Sequence, residues 1–222
     1  DLSCNGGCNG TATVSPTGGV APYNVSWNGN PPIVVSANSS NTIIGLCAGV
    51  HFVTITDSNN CPLTINFNLS EPPLLTTNTN TQNVNCFGDC DGTAITIPSG
   101  GSGNYSYVWN SIPAAPPFPL NTDSISGLCA GTYFVVVTDD SLCTVNDTIT
   151  IIEPSQIFPN AQFTDITCNN NNDGTAISLP TGGVAPYSYN WTGPGGPYNT
   201  QSIGPLSAGT YIVTVTDTNG CT

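Results

Sequence analysis

The ten cysteines of this 222-residue chain are the side chains whose type and spacing suggest chemistry most directly. They fall into two sets of four, Cys4, Cys8, Cys47 and Cys61, then Cys86, Cys90, Cys129 and Cys143, followed by Cys168 and Cys221. Four cysteines allow three disulfide pairings, and spacing alone does not choose among them. The last set does choose, because Asn172 and Ser207 stand where the second and third cysteines would be. Only one pairing loses a whole bridge there and leaves no orphan thiol. It is Cys8–Cys47 and Cys90–Cys129, with Cys4–Cys61, Cys86–Cys143 and Cys168–Cys221. Each loop so closed is worth roughly 4 kcal/mol in the chain-entropy model. Zinc held by the Cys-x3-Cys pairs is the rival use, disfavoured because the last set keeps half the ligands and no His accompanies them. Disulfides place the protein in an oxidising compartment, outside the cell.

The other candidates are weaker. Asp89, Asp91 and Gly92, and later Asn169, Asn171, Asp173 and Gly174, echo the opening of a calcium loop, but Pro180 stands where a bidentate Glu belongs. Calcium at Asp89, Asp91 and Asp173 is the one cofactor expectation. Turn chemistry accounts for the same Asn/Asp-Gly pairs without an ion, and Asn5, Gly7 and Asn9 in the first copy offer almost no charge. Trp27, Trp109 and Trp191 could form a carbohydrate platform, although a Trp early in a sandwich is more often core. The single His51 lies in a strand where the other copies carry Tyr133 and Tyr211, so packing outweighs catalysis. No Ser-His-Asp or Cys-His arrangement recurs, and the chain reads as no enzyme.

Composition narrows the partners. There are 13 acidic residues and no Lys or Arg, a formal net charge of −13. Nucleic acid binding relies on Lys and Arg to displace phosphate counterions, and an anionic membrane surface needs the same residues, so both are excluded. No apolar run is long enough to span a bilayer. No trypsin-type cleavage site exists, which suits life outside a cell.

The elements that carry these residues are repeated. Cys4, Cys86 and Cys168 are each 82 residues apart, as are Trp27, Trp109 and Trp191, and Tyr23, Tyr105 and Tyr187. The Gly18-Gly19, Gly100-Gly101 and Gly182-Gly183 pairs keep the same spacing. Within a copy, alternation predicts strands at Thr11 to Ser15, Tyr23 to Trp27, near Ile43-Ile44, Val50 to Thr56 and Leu63 to Leu69. Thr132 to Thr138, Thr144 to Ile152 and Thr210 to Thr216 are their later counterparts. Leu74 to Thr79 and Ile157 to Phe163 read as first strands of the second and third copies. The fold class is therefore all-β, tandem Ig-like sandwiches of about 80 residues, stapled by disulfides. The copies span 1–72, lacking a first strand, 73–154, and 155–222, lacking a closing strand. Glu71-Pro72 and Glu153-Pro154 mark the junctions, with proline stiffening them.

Three motifs together resemble the SprB-type repeat family. They are the Cys-x3-Cys-Asn-Gly-Thr-Ala opening at Cys4 to Ala12, the Gly-Gly-x-x-Pro-Tyr-x-x-x-Trp run at Gly18 to Trp27, and the segment from Ala208 to Cys221. The resemblance covers nearly the whole chain. It implies PKD-like sandwiches within very large surface proteins of Bacteroidetes, including gliding-motility adhesins exported by type IX secretion. It also implies O-glycosylation at Asp-Ser/Thr sites, for which Ser124, Ser141 and Thr148 qualify. The leading functional expectation is a stalk or spacer in a cell-surface adhesin. Its partners would be neighbouring repeats, and surface glycans or other cells. A subunit of a self-assembling filament and a glycan- or calcium-binding module are the alternatives.

Overall fold

The computed structural model describes residues 1–112 and 121–222. The first copy contributes β1 (Gly10–Val14), β2 (Tyr23–Trp27), β3 (Ile33–Val35), β4 (Asn41–Leu46), β5 (Gly49–Thr56) and β6 (Pro62–Leu69). The second contributes β7 (Thr76–Gln82), β8 (Gly92–Ser99), β9 (Tyr105–Ile112), β10 (Ser124–Leu128), β11 (Gly131–Asp139) and β12 (Thr144–Ile151). The third contributes β13 (Ala161–Thr164), β14 (Gly174–Ser178), β15 (Ser188–Thr192), β16 (Ser202–Leu206) and β17 (Ile212–Thr216). No helix occurs among the described residues.

Each copy folds as an Ig-like sandwich of two sheets. In the first copy β1 pairs with β4, facing a sheet of order β3-β2-β5-β6. The second copy has β10-β8-β7 and β12-β11-β9, and the third has β13-β14-β16 and β15-β17. Alternation decides which side chains turn inward. From β2 these are Tyr23, Val25 and Trp27, which cluster with Val35, Val53 and Ile55, and Ala12, Val14 and Ile43 of the facing sheet close over them. Trp191, Ala176, Ile203 and Leu206 build the corresponding core of the third copy.

Two strands begin later than alternation predicts. Leu74 and Leu75 do not open β7; they cross the Gly100-Gly101 turn, where Gly101 N–H donates to the Pro73 carbonyl at 2.9 Å. Ser155 to Ile157 cross Gly182-Gly183 in the same way, with Gly183 N–H donating to the Ser155 carbonyl at 2.7 Å. These crossings explain the repeated Gly pair. A Cβ on Gly100 would lie 2.0 Å from the Leu74 carbonyl oxygen, and one on Gly182 would lie 1.8 Å from that of Gln156. The short β3, paired with β2 from Tyr23↔Val35 to Val25↔Ile33, lies in a segment whose Pro and Asn content reads as loop.

By contact the chain forms two compact units. The first comprises Asp1–Asn78, Ile97–Val108 and Val135–Asp147, and the second Thr79–Thr96, Trp109–Phe134 and Thr148–Thr222.

Candidate functional site: the staples between repeats

Two local structures recur around the cysteines. The first is the opening loop. In each copy a side chain five residues after the first cysteine accepts from the backbone N–H just before that cysteine: Asn9 from Ser3, Asp91 from Asn85, Asp173 from Thr167. A turn then closes on the cysteine carbonyl, to which Gly7, Asp89 and Asn171 donate their N–H groups at 3.0–3.2 Å. The loop is held against its own junction as well. Glu71 accepts from Gly6 N–H and Glu153 from Gly88 N–H, both at 2.7 Å.

The second is the turn that ends the strongest strand. Asp57, Asp139 and Asp217 each accept, through Oδ1 at 2.9 Å, from the N–H two residues on and from the N–H of the cysteine four residues on. Their other oxygen takes Val20, Ser102 or Val184 N–H beside the Gly pair. These donors shift the carboxyls below the usual carboxylate range. For Asp57 the Cys61 backbone N–H is the main cause. For Asp139 and Asp217, burial works the other way and the backbone donors outweigh it. Asp91 is lowered chiefly by Asn85 N–H, and Asp173 by the Thr167 hydroxyl and N–H.

The bridges join these two structures in an unexpected order. Cys8 pairs with Cys47 and Cys90 with Cys129, within copies. Cys4, however, pairs with Cys143, and Cys86 with Cys221, each linking the opening loop of one copy to the closing turn of the next. The expected bridges Cys4–Cys61, Cys86–Cys143 and Cys168–Cys221 are not formed, and Cys61 and Cys168 are exposed free thiols. The reason is β6. Cys61 precedes its first residue, whereas Leu2 N–H, two residues before Cys4, donates to the Ser70 carbonyl just past its last. Eight residues of strand hold the two cysteines about 25 Å apart, far beyond the roughly 7 Å that a bridge tolerates. The neighbouring copy brings the right partner close instead. The Cα–Cα distances are 5.7 and 5.5 Å, Cys143 Sγ lies 3.3 Å from the Ser3 carbonyl, and Asn219 Nδ2 donates to the Asn85 carbonyl at 2.9 Å.

A family model for the SprB repeat matches residues 1–32, 78–113 and 160–196, once in each copy and each time across the opening loop and its first cysteine. The chain carries three SprB repeats. No curated protein matches it. Solved structures with Ig-like or fibronectin-like domains do. A C-terminal 282-residue fragment of intimin, crystallised with the intimin-binding domain of its translocated receptor, is 18% identical over 68% of this chain, with a TM-score of 0.36. The chain spans 60% of that fragment. The central fibronectin-III array of RIM-binding protein is 14% identical over 99% of this chain and 92% of its own, with a TM-score of 0.22.

The remaining candidates take structural places in the SprB repeats. His51 Nε2 lies 2.9 Å from the Cys47 carbonyl, the contact that Tyr133 and Tyr211 hydroxyls make to Cys129 and Ser207. Trp27, Trp109 and Trp191 are buried, each indole N–H satisfied, by Asn41 Oδ1 and by the Thr122 and Thr200 carbonyls. Asp91 and Asp173 direct both oxygens to their own loop. Among the described residues no group of three or more His, Cys, Asp or Glu could hold a metal ion. Ser124 and Thr148 are exposed at the start of β10 and on β12, and Ser141 lies half-buried in the Asp139 turn. Sequence reasoning missed the two clasps. Their signal was present as the polar residue at Cys+5 and the Asp at Cys−4.

Proposed function

We propose that this chain is a load-bearing stalk segment of a large extracellular surface adhesin, with no catalytic role of its own. The observation that carries this reading is the order of the bridges. From Asp1 the covalent path enters Cys4, crosses to Cys143 and runs along β11 to Cys129. It then crosses to Cys90, passes to Cys86 and crosses to Cys221. The whole chain is thus spanned through about 22 residues of backbone, nine of them in the already extended β11. Tension between the ends bypasses the cores of the first and third sandwiches and is carried through the second by β11, with Tyr133, Val135 and Val137 in its core, so extension stays limited while the bridges last. Such a path serves an element that must transmit force.

The family and the disulfides support an extracellular, adhesin-type repeat module, and the low charge without Lys or Arg suits exposure there. Gliding motility is the narrower form of the role, with type IX export as its route, neighbouring repeats as the immediate partners and surface glycans or other cells as the targets. Ser124 and Thr148, both exposed, are available to O-glycosylation. Antibodies against the chain, applied to intact producing cells, test the reading together with the reduced, denatured mass of the antigen. Surface labelling and one polypeptide of several hundred kilodaltons are expected. Labelling only after permeabilisation would overturn surface display, and a short polypeptide would overturn the adhesin stalk.

A further inference from the structure

The four disulfides are of two kinds. The staples between copies are sheltered, with Cys4, Cys86 and Cys143 half-buried and Cys221 buried. Cys8–Cys47 and Cys90–Cys129, within copies, are exposed at both cysteines. Each exposed bridge lies across the end of a strand ladder. Cys90 precedes β8 and Cys129 follows β10, where Gly92 pairs with Leu128. Cys8 and Cys47 flank the Gly10↔Leu46 pair of β1 and β4 in the same way.

The third copy shows how little the fold of that corner depends on the bond. Asn172 and Ser207 replace the two cysteines, yet the ladder still ends at Gly174↔Leu206. Asn171 N–H closes the opening loop on the Cys168 carbonyl at 3.0 Å, as Asp89 N–H does on that of Cys86 at 3.2 Å. The Tyr211 hydroxyl donates to the Ser207 carbonyl at 3.1 Å, as the Tyr133 hydroxyl does to that of Cys129 at 2.9 Å. Hydrogen bonds thus hold the corner without a covalent link. They keep the paired cysteines, 3.9 Å apart at Cα, adjacent whether the bond is open or closed. In the second copy that same exposed bond lies on the covalent path between the two staples.

We infer that Cys90–Cys129, with Cys8–Cys47 behind it, is a reversible thiol–disulfide exchange site for small-molecule thiols, through which the reach of the stalk is set. The setting of reach rests on the load-bearing reading, whereas the exchange chemistry does not. A small thiolate attacks one sulfur of the bridge, forming a mixed disulfide and releasing the other cysteine as a thiolate, which takes up a proton. A second small thiolate attacks the small molecule's own sulfur in that mixed disulfide and frees the first cysteine. Two small thiols are oxidised to one disulfide, and the bridge is reduced to two cysteine thiols. Exchange rates follow access, so the sheltered staples lag behind. With Cys90–Cys129 open, tension is rerouted through Cys8–Cys47 and residues 47–86; with both open, it runs along residues 86–143 between the intact staples.

The test protein is the full chain carrying C61S and C168S, which removes the two exposed free thiols, and the probe is reduced glutathione. Iodoacetamide traps the thiols that appear, and peptic peptides locate them, since trypsin finds no Lys or Arg. Cys8, Cys47, Cys90 and Cys129 should be trapped at least tenfold faster than Cys4, Cys86, Cys143 and Cys221, while the near-ultraviolet circular dichroism persists. Oxidised glutathione should then restore the same two pairs. Equal rates, staples that open first, loss of the native signal or scrambled pairs on reoxidation would each overturn the exchange site. Under optical tweezers C90S/C129S should raise the stretched limit about twofold, from about 95 to about 180 Å, and C8S/C47S should leave it near 95 Å. Opening both exposed bridges with glutathione should bring it to about 230 Å. A limit unmoved by C90S/C129S would overturn the setting of reach together with the force path, whereas equal trapping rates would overturn the exchange site and leave the force path standing.

Discussion

The mechanical consequence of the bridges can be measured in one molecule. With all four in place, a fully stretched chain is limited to residues 1–4, 129–143, 86–90 and 221–222, about 22 backbone steps of at most ~3.6 Å. The three bridges crossed add 5.7, 3.9 and 5.5 Å, so the ends can separate by about 95 Å. Removing one junction staple with C4S/C143S forces the path through Cys8–Cys47 and residues 47–86, and the limit rises to about 180 Å. Full reduction frees all 222 residues, to about 800 Å. Optical-tweezer stretching with enzymatically attached end tags reads these lengths, before and after a phosphine reductant. Bridges confined within copies would give about 210 Å for the unreduced wild type, because the junction backbones would then bear the load. A wild-type limit near 200 Å, or one unchanged by C4S/C143S, would refute the inter-repeat staple and the force path built on it.

Four further outcomes follow from named contacts. Gly18→Ala and Gly100→Ala both place a Cβ at φ 78°, costing about 1–2 kcal/mol, but only at Gly100 does Leu74 obstruct it. Chemical denaturation should show Gly100→Ala at least ~2 kcal/mol worse than Gly18→Ala. Asp139→Ala removes three backbone hydrogen bonds at a buried turn and should cost about 3 kcal/mol, seen as a lower denaturation midpoint. The depressed carboxyls of Asp57, Asp91, Asp139, Asp173 and Asp217 favour the fold while ionised. Their contribution is complete above the unfolded value near 3.8 and is lost as pH falls through the lowered folded values, so melting temperature should stay level from neutrality and drop below about pH 4. Millimolar calcium should leave the melting temperature unchanged against chelator, because both oxygens of Asp91 and Asp173 already serve their loops; a rise of several degrees would reinstate calcium at Asp89, Asp91 and Asp173.

Much of the fold was legible because it depends on short-range pattern. The 82-residue spacing of cysteine, tyrosine, tryptophan and glycine pairs declares three copies, and period-two alternation marks β2, β5 and β11 almost to the residue. β3 escaped because three residues are too few to show alternation. Leu74 and Ile157 read as strand because apolar character cannot tell a ladder residue from one packed across a turn. The pairing Cys8–Cys47 was legible too, since Asn172 and Ser207 vanish together from the third copy.

The partner of Cys4 was not. Substitution patterns record which cysteines are lost together, and Cys168 with Cys221 looks like a surviving pair although neither bridges the other. Sequence distance is silent on which end of a strand a residue occupies. Only the folded β6 places the opening loop and the closing turn of the first copy at opposite ends, about 25 Å apart. Only the packing of successive copies, with the junction segment laid across the glycine pair, brings the next copy's turn within bonding distance. The sequence by itself determined the repeat and most of the strands. Tertiary structure decided that the bridges run between repeats, because disulfide formation depends on proximity in space, which for these cysteines the chain order does not encode.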